Sequence, residues 1–303
     1  MSSRQLKTIF AALAVLVAAY VIGRLLSGDG RRSGTDHIVA AVADGFDVIR
    51  MVGPEAGDSV QLEQKDGAWT VNGYPSDTAL VRELVEGLDT ARVGRLVARS
   101  ATTHSRLGIE EEAAWRIEIG PAGDPAVTFL LGGGGPDGRY ARFPPSDEVF
   151  AVPTASVRLL ANSVEEWRDR IVVAADTSAI RRIAVRRNDQ PDPVFLVRGT
   201  EDSGASWTLD GSAADTAAVR ALLREAANLT ASGFPSDSVV FTVDFSSPDA
   251  VLEMTDSDSS DTPPSLSLLF LAAPDAPDIL VRRADTALTY RISAAQARRL
   301  LPL

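Results

Sequence analysis

Cysteine is absent from this sequence of 303 residues, and histidine occurs only as His37 and His104. Without cysteine the chain cannot form disulfides, thiolate nucleophiles, zinc knuckles or iron–sulfur clusters. Two histidines leave little material for a metal site or a histidine relay, so we expect no metal and no cofactor. Asp and Glu outnumber Lys and Arg by 41 to 30, giving a net charge of −11. Such an acidic chain is a poor candidate for a nucleic-acid partner.

Lysine is as rare as histidine in this sequence. Lys7 and Lys65 are the only lysines, and the other basic residues, histidine aside, are arginines. Together with the abundance of alanine, this bias is typical of a GC-rich genome. Guanidinium groups chosen to bind anions are the alternative explanation for individual arginines.

Residues 8–23, between Lys7 and Arg24, carry no charge. Sixteen helical residues reach about 24 Å, and the flanking cations can extend toward the interfaces of a hydrocarbon core about 30 Å thick. We therefore predict a transmembrane anchor over residues 1–28, followed by a linker over 29–44. A cleaved signal peptide is the alternative, but no A-x-A pattern follows the apolar run.

The orientation of this anchor does not follow from charge, because basic residues flank both of its ends. The short tail before the helix places all folded residues on its far side, and the absence of cysteine suits an exported chain. We predict a single-pass protein of the bacterial inner membrane, with its globular part in the periplasm.

An internal duplication follows the anchor, because residues 69–84 and 207–222 share nine identities in matching places. The identical pairs are Trp69/Trp207, Thr70/Thr208, Gly73/Gly211, Asp77/Asp215, Thr78/Thr216, Ala79/Ala217, Val81/Val219, Arg82/Arg220 and Leu84/Leu222. Such self-similarity is typical of repeated structural units. We predict two tandem homologous copies, a first repeat with a junction segment over 45–177 and a second over 178–303.

Each copy has the sequence pattern of an α+β fold. The turn dipeptides Asn72-Gly73 and Asp210-Gly211 follow short strands, and Asp77 and Asp215 stand at helix N-cap positions. Apolar residues then recur three and four positions apart, which predicts one main covering helix per copy. Further strand patterns, among them residues 239–245, predict a mainly antiparallel twisted sheet, and a short helix closes each copy.

Three motifs suggest chemistry but have simpler explanations. Gly132–Gly138 contains a formal G-x-G-x-x-G, yet a strand pattern follows instead of the helix that a dinucleotide needs, so we predict a hairpin loop. Asp256–Asp261 lacks the glycine and the glutamate of a calcium loop and predicts a solvated loop. His104 lies in a predicted loop rather than at a catalytic base position.

The segment Trp167-Arg168-Asp169-Arg170 between the copies is the main candidate site. One hypothesis is an inter-repeat junction, with Trp167 buried and Asp169 bridging arginines from both copies. The other is a partner contact, because Trp and Arg are enriched at binding hot spots.

Four motifs follow one another along the chain: the W-T-V-x-G segment at 69–73, the D-x-x-x-V-x-x-L segment at 77–84, the G-x-Y-x-R strand at 138–142, and Trp167–Arg170. Their order resembles that of the bacterial family called domain of unknown function 4340. The resemblance covers nearly everything after the anchor. It implies one N-terminal membrane helix and a gene beside an ABC-type transporter related to gliding motility, and it supplies no catalytic residues.

Our leading expectation is a non-enzymatic, membrane-anchored extracytoplasmic accessory protein of an ABC-type transport or gliding-like assembly, with transporter subunits as partners. The alternatives are a periplasmic binding module for envelope glycan or peptide and, third, a hydrolase. A concave pocket would favour the binding module, and clustered carboxylates of perturbed pKa within it would favour the hydrolase.

Overall fold

The computed structural model describes residues 38–301, except 39, 42, 44, 56, 58, 92–93, 137, 200–205 and 258–261. The chain divides into two compact units between Asp169 and Arg170. This division lies a few residues before the predicted boundary at 178.

The first unit is built on one nine-stranded sheet in which every neighbouring pair of strands is antiparallel. Its strands are β1 (Val48–Val52), β2 (Ser59–Lys65), β3 (Ala68–Val71), β4 (Tyr74–Pro75), β5 (Leu96–Ala98), β6 (Trp115–Gly120), β7 (Val127–Gly135), β8 (Gly138–Arg142) and β9 (Val149–Val152). The spatial order is β4-β3-β2-β1-β6-β7-β8-β9-β5.

The helices of the first unit are short apart from one. They are α1 (Thr78–Asp89), α2 (His104–Leu107), α3 (Thr154–Val157) and α4 (Val164–Trp167), with 3-10 turns at Ala101–Thr103 and Arg158–Ala161. The helix α1 buries Val81, Leu84 and Leu88 against the sheet residues Ile49 and Met51 in one core cluster. Its apolar face is therefore the one that the three- and four-residue spacing predicted.

The second unit contains an eight-stranded antiparallel sheet. Its strands are β10 (Arg182–Arg187), β11 (Gln190–Arg198), β12 (Trp207–Leu209), β13 (Ser212–Ala213), β14 (Ala250–Thr255), β15 (Leu266–Ala272), β16 (Ile279–Arg283) and β17 (Thr289–Ile292). Its helices are α5 (Thr216–Ala227), α6 (Asp237–Thr242) and α7 (Ala294–Leu300). The main helix α5 buries Val219, Leu222 and Ala226 in the core of this unit.

The two sheets have the same strand order. The order in the second sheet is β13-β12-β11-β10-β14-β15-β16-β17, and each of these strands corresponds in turn to a strand of the first sheet. The first sheet has one additional edge strand, β5. The registers agree too, because Val48 pairs with Glu63 and Gly120 just as Arg182 pairs with Val197 and Thr255. Residues at matching registers are called equivalent below.

Each sheet also carries a small apolar cluster on the face opposite its main helix. In the first unit Leu107 and Ile109 pack against Leu130 of β7, and in the second Val239 and Phe245 pack with Leu280 of β16. These clusters cover the later strands of each sheet. The outward side chains of β1, β2 and β6, and of β10, β11 and β14, line shallow depressions that we call the open faces.

The two predicted helix N-caps and the predicted glycine hairpin are confirmed. Asp77 Oδ1 accepts hydrogen bonds from the amides of Ala79 and Leu80, at 2.8 and 3.2 Å, and is the N-cap of α1. Asp215 caps α5 in the same way. The glycine segment forms the β7–β8 hairpin, with Gly135 paired to Gly138.

One strand prediction is wrong, because residues 239–242 of the predicted strand 239–245 belong to the helix α6. A strand formed by residues 239–245 would have to pair with β10, but β14 already pairs with that edge of β10. Val239 and Val243 both pack into the small cluster with Leu280. They lie four residues apart, a spacing that places side chains on one face of a helix.

The predicted anchor, residues 1–28, lies outside the described residues. Within residues 38–301, no helix of the described part is both long and apolar enough to cross a membrane.

Candidate functional site

The segment Trp167–Asp169 adds a short antiparallel pairing to the edge of the first sheet. Trp167 C=O accepts from the amide of Asp77 at 2.8 Å, and the amide of Asp169 donates to Pro75 C=O at 2.9 Å. Arg168 forms a β-bridge with Ser76 between these two bonds. The segment thus holds the turn that leads from β4 into the capped start of α1.

Side chains of this segment pack in two different ways. Trp167 is 0 % exposed and belongs to the core of the first unit. Its indole Nε1 is buried and has no hydrogen-bond partner among the described residues. The guanidinium of Arg168 stacks over the ring of Tyr74, 3.8 Å from its centroid, which is a cation–π contact.

Arg170, the last residue of the motif, is the first residue of the second unit. Its carbonyl accepts from the amide of Ala231 at 2.7 Å, and the amides of Val172 and Val173 both donate to Leu229 C=O. The two valines are buried in the core of the second unit. The unit boundary therefore falls inside the predicted site. The junction and partner-contact hypotheses both stay predictions for these four residues.

The open face of the second unit combines arginine with an aromatic ring. The guanidinium of Arg182 on β10 lies 4.4 Å from the ring centroid of Phe195 on β11. Arg186, four residues further along β10, forms an ion pair with Glu253 of β14. Together with Thr255, these side chains line a depression of about 200 Å³.

The open face of the first unit lies on the equivalent strands and contains a depression of about 250 Å³. Glu118 on β6 is equivalent to Glu253 and also pairs with an arginine, with Arg116 Nε at 2.9 Å from its Oε1. The position equivalent to Phe195 is Gln61, so this face lacks the aromatic group. The two faces therefore share a glutamate–arginine pair and differ in the aromatic residue.

A larger groove of about 560 Å³ lies between α5 and the residues that precede β10. Three arginines contribute to its lining, namely Arg198 at the end of β11 and Arg220 and Arg224 on α5. Trp207, 5 % exposed, also lines it. We call this feature the arginine groove.

The carboxylates whose pKa shifts are ordinary surface groups. Hydrogen bonds from Ser178 lower the pKa of Asp176, which lines the arginine groove. The guanidinium of Arg291 lowers the pKa of Asp275 through a hydrogen bond. Such carboxylates stay ionised at neutral pH, whereas a general acid requires a raised pKa.

The other motifs singled out in the sequence occupy structural positions. His104 begins α2 rather than lying in a loop, so that prediction is wrong: the ring is buried and Nε2 lies 2.9 Å from Asp147 C=O. Arg139 donates to Gly132 C=O across the glycine hairpin, and burial lowers its pKa. Asp256 lies in a bend, whereas residues 258–261 of the predicted loop lie outside the described residues.

The sequence argument did not select the open-face pair Arg182 and Phe195, nor the arginines of the groove. Arg182 and Phe195 are thirteen positions apart and meet only through the β10–β11 register. A signal for the groove existed in the internal alignment, where Arg224 stands opposite Glu86. This reversal of charge between the similar helices α1 and α5 shows that the surfaces of the two units differ at this position.

A comparison with known families agrees with the order of motifs. The family described as "Domain of unknown function (DUF4340)" matches residues 69–248, which is more than half of the chain. The protein therefore belongs to this family. No curated protein and no solved structure matches the chain.

Proposed function

We propose that the protein is a non-enzymatic, membrane-anchored accessory subunit that works outside the cytoplasm and binds subunits of an ABC-type transport or gliding-like assembly. The uncharged stretch at residues 8–23 supports the anchor. Membership of the family supports the class, because the family resemblance implies such a gene neighbourhood. The inner membrane of a bacterium is the location that this proposal requires.

We infer that the two units are tandem homologous copies. Nine identities between residues 69–84 and 207–222 fall on equivalent strands, turns and helices, and the strand orders coincide. A duplicated binding scaffold offers two related surfaces, and divergence of one of them gives each unit a different partner or role.

The open face of the second unit is the observation that carries the partner-binding proposal. Arg and aromatic side chains are enriched among residues that dominate binding energy, and Arg182 stacks on Phe195 there. The ion pair between Arg186 and Glu253 lies beside them on the same strands. A partner that buries this pair strengthens its electrostatic attraction by excluding water.

Photo-crosslinking in living cells tests this proposal. Phe195 is replaced by a photoreactive phenylalanine analogue in the full chain, and the products are identified after irradiation. We expect a crosslink to a membrane transporter subunit. Adding Arg182→Ala removes the cation–π neighbour and should reduce the yield several-fold, because a hot-spot residue contributes about 2 kcal/mol or more to binding.

Phe241 provides the matched control, since it is an aromatic residue that is 92 % exposed on α6 and is not among the residues that line the open face. A random encounter would label this position more strongly than Phe195. Equal products from both positions, or no membrane product from Phe195, would contradict the assignment of the open face.

A further inference from the structure

The arginine groove concentrates positive charge in an acidic protein. Arg198, Arg220 and Arg224 line it, and Asp176 is the one carboxylate among the lining residues that the structure describes. Arg198 Nη1 donates to Ser178 C=O at 2.9 Å, which fixes the position of this guanidinium and leaves its remaining donors available. Arg220 and Arg224 are exposed and form no ion pair within the described part of the chain.

The first unit has no such concentration at the equivalent positions. Glu86 replaces Arg224, and Gln64 replaces Arg198, whereas Arg82 is retained opposite Arg220. Arg82 and Glu86 are therefore opposite charges four residues apart on α1, a spacing that stabilises a helix. In α5 the same spacing places two positive charges together, which is unfavourable without an anion.

The walls and size of the groove point to a small ligand. The volume of about 560 Å³ falls within the range of small-molecule sites. Leu223 and Trp207 supply apolar surface beside the guanidinium groups. Guanidinium groups bind carboxylates and phosphates through paired N–H donors, so both kinds of anion fit this chemistry.

We propose that the arginine groove binds a small anion with two or more carboxylate or phosphate groups. Arg220 and Arg224 hold one end of the anion from α5, and Arg198 holds the other from β11. This site is distinct from the open face, so it does not depend on the proposed contact with a transporter.

Calorimetric titration of the full chain in detergent micelles tests the groove with two probes, citrate and inorganic triphosphate. We expect saturable binding of at least one probe with a stoichiometry of one, weakened by added salt. The double variant Arg220→Gln/Arg224→Gln should bind about tenfold more weakly or worse, because it removes two charge-assisted contacts. Arg224→Glu, which introduces the residue of the first unit, should abolish binding.

The matched control is Arg82→Gln, which removes the equivalent arginine of the first unit and should leave binding within about twofold, a change near the precision of a dissociation constant. Binding of citrate alone identifies a carboxylate ligand, and binding of triphosphate alone identifies a phosphorylated one. No saturable binding of either probe overturns the proposal. Equal weakening by Arg82→Gln overturns it as well, because the affinity for the anion would then depend on the net charge of the protein and not on the groove. Thermal melting of each variant separates lost binding from lost folding.

Discussion

At the scale of single residues, Trp167 shows how a sequence motif becomes part of a core. The side chain is completely buried in the first unit, and its carbonyl holds the amide of Asp77 at the start of α1. Trp167 thus links the last helix of the unit to the turn before its main helix. Its indole N–H has no hydrogen-bond partner in the described part of the chain, so shape and apolar area account for its contribution.

We predict that Trp167→Ala lowers the free energy of unfolding of the first unit by about 3–5 kcal/mol, as large-to-small changes of buried aromatic residues do. Trp167→Phe keeps an aromatic ring and removes an N–H that donates to none of the described residues, so its cost should be clearly smaller. Chemical denaturation followed by circular dichroism measures both. A loss below about 1 kcal/mol in Trp167→Ala, the range of ordinary surface changes, would contradict the assignment of Trp167 to the core.

Residue-scale prediction from the sequence succeeds when the signal is local and fails when it depends on register. The N-cap Asp77 was predictable because its bonds reach amides only two and three residues away. The pairing of Arg182 with Phe195 was not, since it requires the β10–β11 register to be known first.

At the scale of secondary-structure elements, the two main helices depend on the same capping interaction. Asp77 and Asp215 have nearly identical backbone angles and accept the same two amide hydrogen bonds. Because these bonds satisfy donors at the helix start, their removal exposes part of the first turn.

We predict that Asp77→Ala and Asp215→Ala each lower the free energy of unfolding by about 1 kcal/mol. Asp77→Asn should recover most of the loss, because the amide oxygen can accept the same bonds. Asp89→Ala, at the opposite end of α1, serves as the control and should cause no loss, since a negative charge there is unfavourable for the helix dipole. Denaturation curves for the four variants give the comparison, and an equal loss in Asp89→Ala would argue against capping.

The element that the sequence argument missed is α6. Its residues have high β-propensity, yet the sheet offers them no strand partner because β14 already lies beside β10. Local propensity therefore gave way to tertiary context, as it often does for β-branched runs.

At the scale of the whole molecule, the repeated strand order is the main structural result. Most strands and both main helices could be predicted, because each copy repeats the same local pattern. The arginine groove could not be predicted as a site, because it combines residues from β11, from α5 and from the segment before β10. What the internal alignment could show was the charge difference between Glu86 and Arg224.

The proposed role requires both units to lie outside the cytoplasm, which cysteine accessibility measures directly. The natural chain has no cysteine, so a single introduced cysteine is labelled without background. Ala79→Cys and Ala295→Cys place it on exposed helix positions of the first and second unit. Ser2→Cys places it before the uncharged stretch at residues 8–23 and serves as the control.

In intact spheroplasts, a membrane-impermeant maleimide should label Ala79→Cys and Ala295→Cys, and it should label Ser2→Cys only after detergent lysis. Labelling of Ser2→Cys alone in intact spheroplasts would reverse the orientation. If all three variants react only after lysis, the extracytoplasmic assignment is wrong and the proposed function is wrong with it.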